Sequence, residues 1–251
     1  NQTAALLINY VMTAWQERGK LTGKQYIVKT IVTSYLIDKM AASKGIECFN
    51  TLTGFKWIGK IMTSLQGQKT FLAGGEESYG LLVGEHARDK DAVVSCAMIA
   101  EMAAYYKDQG RSVWDALLDI YVEYGCYKEK LIAITKKGKS GAEEIAALME
   151  KYRKDAPKEL GGSKVSVIKD YLNGTSTNAD GSVDQLDFPK SNVLQFFTED
   201  GSIISARPSG TEPKIKFYCS TNTPLANTAA FAETETQLDG KIDQIMKDLG
   251  V

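Results

Sequence analysis

The first 75 residues alternate β-rich runs with amphipathic, helix-like segments, and this alternation limits the possible folds more than any other feature of the chain. The β-rich runs cover residues 25–31, 46–49 and 69–73, and the helix-like segments cover residues 4–18, 33–44 and 55–65. This order is typical of a partly parallel sheet with helices on both faces. Helical patterns continue over residues 91–109 and 112–125. We therefore expect residues 1–125 to form a three-layer α/β domain with a mixed sheet.

The pattern changes near Gly125, after which strand-like runs dominate. These runs cover residues 131–136, 165–171, 193–199, 202–206 and 215–220, with helices over residues 141–154 and near the C-terminus. The order β-α-β-β-β-β-α predicts a smaller α+β domain over residues 126–251. The Glu199-Asp200-Gly201 sequence is typical of a hairpin turn. Residues 173–190, rich in Asn, Gly, Ser and Asp, predict a long surface loop.

Three pairs of residues have the capping-box pattern, in which a Ser or Thr precedes an acidic or amide residue by three positions. The pairs are Ser112 with Asp115, Ser140 with Glu143, and Thr234 with Gln237. We expect each pair to mark the start of a helix.

The chain has 251 residues and a formal net charge of −1 at pH 7. With no strong overall field and no basic stripe, the composition disfavours a nucleic-acid or anionic membrane partner. The four cysteines form no CxxC pair and His86 is the only histidine, which argues against a zinc site and a disulfide framework. No signal peptide or membrane-spanning apolar run is evident. We expect a cytoplasmic protein.

The chain opens at Asn1 without an initiator Met and enters an amphipathic helix almost at once, with Leu6, Leu7 and Tyr10 on one face. A domain seldom begins so abruptly. We expect the chain to be a fragment of a longer protein.

The chemistry of the second domain is concentrated between its last two predicted strands, in the segment from Arg207 to Lys214. The planar fork of Arg207 matches the geometry of a phosphate group. Ser209 and Thr211 add hydroxyl donors, and Gly210 allows a backbone N–H to approach an anion closely. We interpret the segment as a preformed phosphate cradle. The alternative is a structural turn, because Pro and Gly between strands are typical of turns.

The first domain has polar residues where each of its predicted parallel strands ends, which is where ligands bind in such sheets. They are Lys29 and Thr30, then Thr53 to Lys56, then Gly75 to Gly80. In the third segment Glu76, Glu77 and Ser78 could hydrogen-bond neighbouring sugar hydroxyls, or could simply cap a turn or helix. Paired carboxylates also occur in glycoside hydrolysis, but adjacent residues on an extended loop tend to point apart.

Together, the Gly75-Glu76-Glu77-Ser78 and Arg207-Pro208-Ser209-Gly210-Thr211 segments, with Thr53-Gly54-Phe55-Lys56-Trp57, resemble the α-D-phosphohexomutase family, and within it the bacterial phosphoglucomutases. The resemblance covers the whole chain, but only the third and fourth of the family's four domains. It implies an intramolecular phosphotransferase that interconverts glucose 1-phosphate and glucose 6-phosphate through a bisphosphate.

The resemblance also implies roles for individual residues. Glu76 and Ser78 would bind the 3- and 4-hydroxyls of the sugar, and Glu77 fits glucose-type members better than dual-specificity members, which tend to have Met there. The phosphate that is not transferred would be held by a set of cradle residues: Arg207, Ser209, Gly210, Thr211 and, nearby, Lys214. Lys56 and Lys29 match substrate-facing basic positions, although either could be a solvated surface ammonium.

The chain departs from the family pattern in two places. The phosphoserine loop of the first family domain and the Asp-rich Mg²⁺ loop of the second have no counterpart here. Asp89-Lys90-Asp91 is too short to replace the metal loop and is typical of a helix cap. The resemblance therefore implies that Mg²⁺ is bound in N-terminal domains of the same polypeptide, that glucose 1,6-bisphosphate is the activator, and that this chain alone is inactive. The alternative function is a stand-alone phosphosugar-binding or regulatory module.

Overall fold

A computed structural model describes residues 1–136 and 138–251. The chain divides into two compact units. Unit 1 comprises Asn1–Gly125 with Pro224–Thr228, and unit 2 comprises Cys126–Thr223 with Ala229–Val251.

Unit 1 is an α/β sandwich. Its helices are α1 (Gln2–Glu17), α2 (Leu36–Ser43), α3 (Phe55–Leu65), α4 (Ala92–Asp108) and α5 (Val113–Tyr124), and its strands are β1 (Gln25–Thr30), β2 (Glu47–Thr51), β3 (Thr70–Gly75) and β4 (Leu81–Val83). The sheet order is β2-β1-β3-β4, in which β1 runs parallel to β2 and β3 while β4 is antiparallel to β3. The expected mixed sheet is present, and β4 is a strand that the sequence patterns missed.

The central strand β1 is buried on both faces. Tyr26 and Val28 pack with Phe55 and Ile58 of α3. The alternate residue Ile27 is also fully buried, so the opposite face is covered too. Burial of both faces explains why β1 lacks the alternation of a half-exposed strand.

The predicted capping box at α5 is confirmed. The Ser112 hydroxyl accepts from Asp115 N at 3.1 Å, and the Asp115 carboxylate accepts from Ser112 N at 2.8 Å. Asp91 likewise caps α4, since its Oδ1 accepts from Val94 N at 3.0 Å. This confirms the expectation that Asp89-Lys90-Asp91 forms a helix cap.

Unit 2 is an antiparallel sheet with two helices. Its strands are β5 (Cys126–Thr135), β6 (Glu159–Leu160), β7 (Ser163–Asp170), β8 (Thr175–Asn178), β9 (Val183–Gln185), β10 (Leu194–Thr198), β11 (Ile203–Pro208) and β12 (Lys214–Thr223), and its helices are α6 (Gly138–Lys154) and α7 (Phe231–Asp248). The order is β5-β12-β11-β10-β7-β8-β9, with β6 paired to β7. Side chains from both helices and from one sheet face form the core, including Met149, Phe196, Phe217 and Ile242.

Unit 2 corrects three predictions. Ser140 and Thr234 lie inside α6 and α7, so these two capping boxes are wrong; the same pattern inside a helix only places polar residues one turn apart. Residues 173–190 are not one loop, because they contain β8 and β9, which extend the sheet by pairing onto β7. The hairpin turn at residues 199–201 is confirmed, with Gly201 N donating to Thr198 O at 2.9 Å.

Candidate functional site

The three polar segments of unit 1 follow β1, β2 and β3, and all three begin at the same edge of the sheet because these strands are parallel. The segment after β2 ends where α3 starts at Phe55, and the segment after β3 returns through Gly80 into β4. Two side-chain contacts connect the segments, one through Glu76 and one through Glu77. The edge is therefore a single polar surface built from three separate parts of the chain.

Glu76 joins the β3 segment to the β2 segment. Its Oε1 accepts a hydrogen bond from Gly54 N at 2.9 Å, and Gly54 is the residue before α3. The segment closes on itself through Glu76 N, which donates to Gly80 O at 2.8 Å. A Cβ on Gly80 would lie 2.9 Å from Glu76 Oε2 and 3.2 Å from Lys90 Cδ. Glycine at this position thus allows the carboxylate and the Lys90 stem to pack over the backbone.

Glu77 joins the β3 segment to the end of β1. Its Oε2 accepts from the Thr30 hydroxyl at 3.3 Å, and the Thr30 and Thr33 hydroxyls are 2.8 Å apart. Ser78 is exposed, while Glu76 and Glu77 are half-buried. The carboxylates are thus anchored to the protein and still reach solvent, which suits groups that bind a polar ligand from water.

The β2 segment presents Lys56, which is exposed on the first turn of α3. Its Nζ lies 5.1 Å from the Trp57 ring centroid, and Lys60 Nζ lies 5.5 Å from the same ring. Such cation–π contacts position an ammonium group loosely and leave it hydrated. Lys56 therefore remains accessible to an anion.

The structure places Lys29 in the interior, with 0% of its side chain exposed. Its Nζ lies 2.9 Å from Asp38 Oδ2, 2.6 Å from Asn50 Oδ1 and 3.2 Å from Thr33 O. The Tyr35 ring centroid is 3.9 Å away. The alternative of a solvated surface ammonium is therefore wrong. The ammonium donates two hydrogen bonds inside the protein and its charge is paired with Asp38, so this geometry does not support the predicted substrate contact either.

Lys90 is a candidate that sequence reasoning passed over. Its stem crosses Gly80, and its Nζ lies 5.9 Å from the Phe55 ring centroid. The Lys90 backbone N–H and side chain both donate to Asp89, which lowers the pKa of that carboxyl. The sequence shows the Asp89-Lys90-Asp91 segment. It does not show that the Lys90 stem lies over Gly80, next to Glu76, because this position depends on the return of the chain through β4.

The predicted phosphate cradle is the connection between β11 and β12 in unit 2. Ser209 N donates to Lys214 O at 2.7 Å and closes the hairpin, and Lys136 N donates to Pro213 O at 2.8 Å. Inside the loop, Ser209 Oγ accepts from Thr211 N at 3.4 Å and from Glu212 N at 3.3 Å. Successive backbone N–H groups thus converge on one hydroxyl oxygen, an arrangement that an anion can share.

Basic residues flank this loop on β11 and β12. Arg207 is half-buried and lies directly opposite Lys216 in the β11–β12 register, so the two side chains share one face of the sheet. Neither Arg207, Lys214 nor Lys216 forms an ion pair with any described residue. Residues 207–216 contain three basic residues and one acidic residue, Glu212, so this segment has a formal charge of +2 on a chain whose net charge is −1. Gly210 and Thr211 are exposed at the tip.

Within residues 1–136 and 138–251, no three His, Cys, Asp or Glu side chains lie close enough together to hold a metal ion. The one His–Asp pair, His86 Nε2 with Asp91 Oδ2 at 2.9 Å, is exposed and lowers the Asp91 pKa. Across the same residues, no helix is long and apolar enough to cross a membrane.

Comparison with known proteins matches both units to one family. The model described as phosphoglucomutase/phosphomannomutase, alpha/beta/alpha domain III, matches residues 1–124, and the corresponding C-terminal domain model matches residues 131–237. A phosphoglucomutase of Staphylococcus aureus is 38% identical over 89% of this chain and 40% of its own length. One of Staphylococcus haemolyticus is 33% identical over 88% of this chain and 40% of its own length. The chain thus spans about 40% of the length of these curated relatives.

Solved structures share the fold. The open form of parafusin, a phosphoglucomutase from Paramecium, has a TM-score of 0.60 at 20% identity, covering 100% of this chain and 42% of that one. A phosphoglucomutase/phosphomannomutase family protein from Burkholderia thailandensis has a TM-score of 0.52 at 15% identity, covering 96% of this chain and 41% of that one. These structures confirm the predicted fold class, and the two family models confirm the family resemblance.

Proposed function

The chain belongs to the phosphoglucomutase/phosphomannomutase family and corresponds to the third and C-terminal domains of its members. On this premise we propose that it binds the sugar hydroxyls and the non-transferred phosphate while glucose 1-phosphate and glucose 6-phosphate are interconverted. The observation that carries the proposal is the β11–β12 loop, in which Arg207 lacks a described ion-pair partner beside converging backbone N–H groups.

The phosphate would be held by complementary charge and hydrogen bonds. Arg207 offers two parallel N–H donors to the phosphate oxygens, and Lys214 adds a point charge. The Thr211 and Glu212 N–H groups, which now meet Ser209 Oγ, can turn to the anion while the hydroxyl donates a bond of its own. The loop is closed by backbone bonds at both ends, so little ordering entropy is lost on binding.

The sugar would be held by Glu76, Glu77 and Ser78. Carboxylates accept hydrogen bonds from hydroxyl groups, and the Ser78 hydroxyl can donate or accept. Glu76 is fixed by Gly54 N–H and Glu77 by Thr30, so both are positioned before the ligand arrives. Lys56 and Lys90 would add positive charge at the same edge for the anionic ligand.

A mutase has to bind its sugar in two opposite orientations. A loop that recognises only phosphate and a loop that recognises a pair of equatorial hydroxyls can each serve both orientations, since neither reads the anomeric carbon. Phosphoryl transfer depends mainly on positioning and charge stabilisation. The described residues need supply no general acid or base for this role.

The family's chemistry also implies Mg²⁺ and a phosphoserine nucleophile. The described residues contain no group of side chains suited to Mg²⁺, so we derive no step through the metal and propose that it is bound by other domains. On the same grounds we propose that this chain alone is inactive. A coupled assay with glucose 1-phosphate, glucose 1,6-bisphosphate and Mg²⁺ tests this; turnover that survives repurification would contradict it.

The binding roles are tested by calorimetric titration of two variants with inorganic phosphate and with glucose 6-phosphate. Arg207→Ala should weaken both ligands by roughly tenfold or more, because it removes a charge-assisted contact of about 1.5–3 kcal/mol. Glu76→Ala should weaken glucose 6-phosphate and leave inorganic phosphate almost unchanged. Lys130→Ala is the charge control for Arg207, since Lys130 pairs with Asp243 of α7 on the other face of the sheet.

The alternative of two structural turns predicts that both variants are less stable and that neither changes ligand preference, so melting curves accompany the titrations. If Arg207→Ala binds both ligands like the parent chain, the cradle interpretation is wrong. The stand-alone binding module predicts the same binding results. It is disfavoured because the two units match two successive domains of phosphoglucomutases in their order along the chain.

A further inference from the structure

Tyr79, at the tip of the segment between β3 and β4, is the most exposed large hydrophobic residue among the described residues, with 97% of its surface accessible. It is also the only non-glycine residue among them with a positive φ, at 71°. No described hydrogen bond, ring contact or cation–π contact involves its side chain. A structural role therefore does not explain why this residue is a tyrosine.

Both features are unfavourable for the folded chain. A side chain in the left-handed region crowds the following carbonyl, and only Gly, Asn and Asp are commonly found there. An aromatic ring that stays in water also contributes no hydrophobic stabilisation to the folded state. Glycine would remove both costs, and the same segment already uses it at Gly75 and Gly80. Strain retained at an exposed position is typical of a site that acts on a ligand.

The position of Tyr79 in the chain indicates which kind of ligand its ring would contact. It directly follows Ser78, and the hydrogen bond from Glu76 N to Gly80 O, 2.8 Å long, folds residues 76–80 into one tight turn. The turn therefore presents an aromatic ring next to the groups proposed to bind sugar hydroxyls. Sugar sites combine polar groups at the ring edge with an apolar surface against the C–H bonds of a ring face.

We infer that Tyr79 is a specificity-determining residue whose ring packs against a C–H face of the bound hexopyranose. The inference rests on the proposed function of the same site and adds the part of the sugar that the hydroxyl-binding residues do not contact. A pyranose with equatorial hydroxyl groups presents C–H bonds on both faces. An aromatic ring can therefore pack on the sugar after it turns over, as a mutase requires.

The test compares Tyr79→Gly and Tyr79→Phe with the parent chain by titration with glucose 6-phosphate and with inorganic phosphate. Tyr79→Gly should bind glucose 6-phosphate about tenfold more weakly, because the apolar contact is lost, and inorganic phosphate within about twofold of the parent. Tyr79→Phe should bind both ligands like the parent. Tyr79→Gly should melt at or above the parent temperature, because the relieved left-handed strain offsets the added entropy of the unfolded chain.

The titration results separate this inference from the proposed function. Parent-like binding of glucose 6-phosphate by Tyr79→Gly overturns the inference and leaves the proposed function intact. Equal losses in Tyr79→Phe and Tyr79→Gly also overturn it, because the hydroxyl and not the ring face would then be the contact. A parent chain that binds neither ligand overturns the proposed function and this inference with it.

Discussion

Replacing Lys29 by methionine separates a structural role from a substrate-binding role. The change keeps the length and apolar character of the side chain and removes its charge and three donors. In the parent chain the ammonium donates to Asn50 Oδ1 at 2.6 Å and to Thr33 O at 3.2 Å, and it forms an ion pair with Asp38 Oδ2 at 2.9 Å. Lys29→Met would leave all three acceptors without this partner, and it would leave the Asp38 carboxylate without its counter-ion.

The size of the effect follows from the burial of the pair. Removing one partner of a fully buried ion pair costs about 3–5 kcal/mol. The Asp38 side chain is 27% exposed and its Oδ1 keeps the bond from Asn50 Nδ2 at 2.8 Å, so water and Asn50 reduce the penalty. The buried Thr33 carbonyl adds a smaller cost of about 1 kcal/mol or more. We expect the free energy of unfolding of unit 1 to fall by about 3–4 kcal/mol.

Urea unfolding monitored by Trp fluorescence and circular dichroism measures this loss. With a slope of about 2 kcal/mol per molar urea, the midpoint should fall by roughly 1.5–2 M. Lys56→Met is the matched control, because the sequence suggested the same role for both lysines and Lys56 is exposed; its unfolding free energy should stay within about 0.5 kcal/mol of the parent value. The double variant Lys29→Met/Asp38→Asn should recover part of the stability.

The opposite pattern would refute the reasoning. If Lys29→Met unfolds at the parent urea concentration but binds glucose 6-phosphate more weakly than Lys56→Met does, Lys29 is a substrate cation and its ion pair with Asp38 is incidental.

Two further predictions concern the loops. Gly80→Ala should push the Glu76 carboxylate off the Gly54 N–H, since its Cβ would lie 2.9 Å from Glu76 Oε2; titration should find weaker glucose 6-phosphate binding with a stability loss of about 1 kcal/mol, and parent-like binding would show that the carboxylate position is unimportant. Burial raises the Asp200 pKa, but the bonds from Lys241, Thr198 and Ser202 outweigh it and lower the pKa to about 2, below the ordinary value of 3.8. The stabilisation by Asp200 should thus be present above about pH 4 and be lost as the pH falls toward 2. Melting curves across this range should show that loss in the parent and in a Glu199→Gln control but not in Asp200→Asn; an equal loss in Asp200→Asn would assign it to other carboxylates.

Local chemistry predicted much of the fold. The α3 helix was predicted with its observed bounds, Phe55–Leu65, because Gly54 precedes a strong amphipathic pattern. The Ser112 capping box was predicted correctly, whereas Ser140 and Thr234 were not, since the pattern does not reveal whether a helix has already begun. The strands β8 and β9 were missed because their polar residues are held by pairing to β7, a contact that single-segment patterns do not contain.

For the candidate site, the sequence predicted the two loop segments but not the surroundings of individual lysines. The segment after β3 and the β11–β12 connection were identified because each concentrates residue types that bind hydroxyl or phosphate groups, and because together they resemble the motifs of one family. The burial of Lys29 and the position of Lys90 could not be predicted for one reason: their surroundings are made by other segments. Asp38 reaches Lys29 from α2, and the Lys90 stem lies over Gly80 only because β4 turns back beside β3.

The hydrogen bond from Gly54 N to Glu76 Oε1 has a consequence for how specificity in this site can change. The bond places a carboxylate at the amino end of α3, where it also offsets the positive end of the helix dipole. A substitution of Glu76 that favours another sugar would therefore also weaken the start of that helix. Changes of substrate preference should be accompanied by compensating changes near Gly54, so that the two loops vary as a pair and not independently.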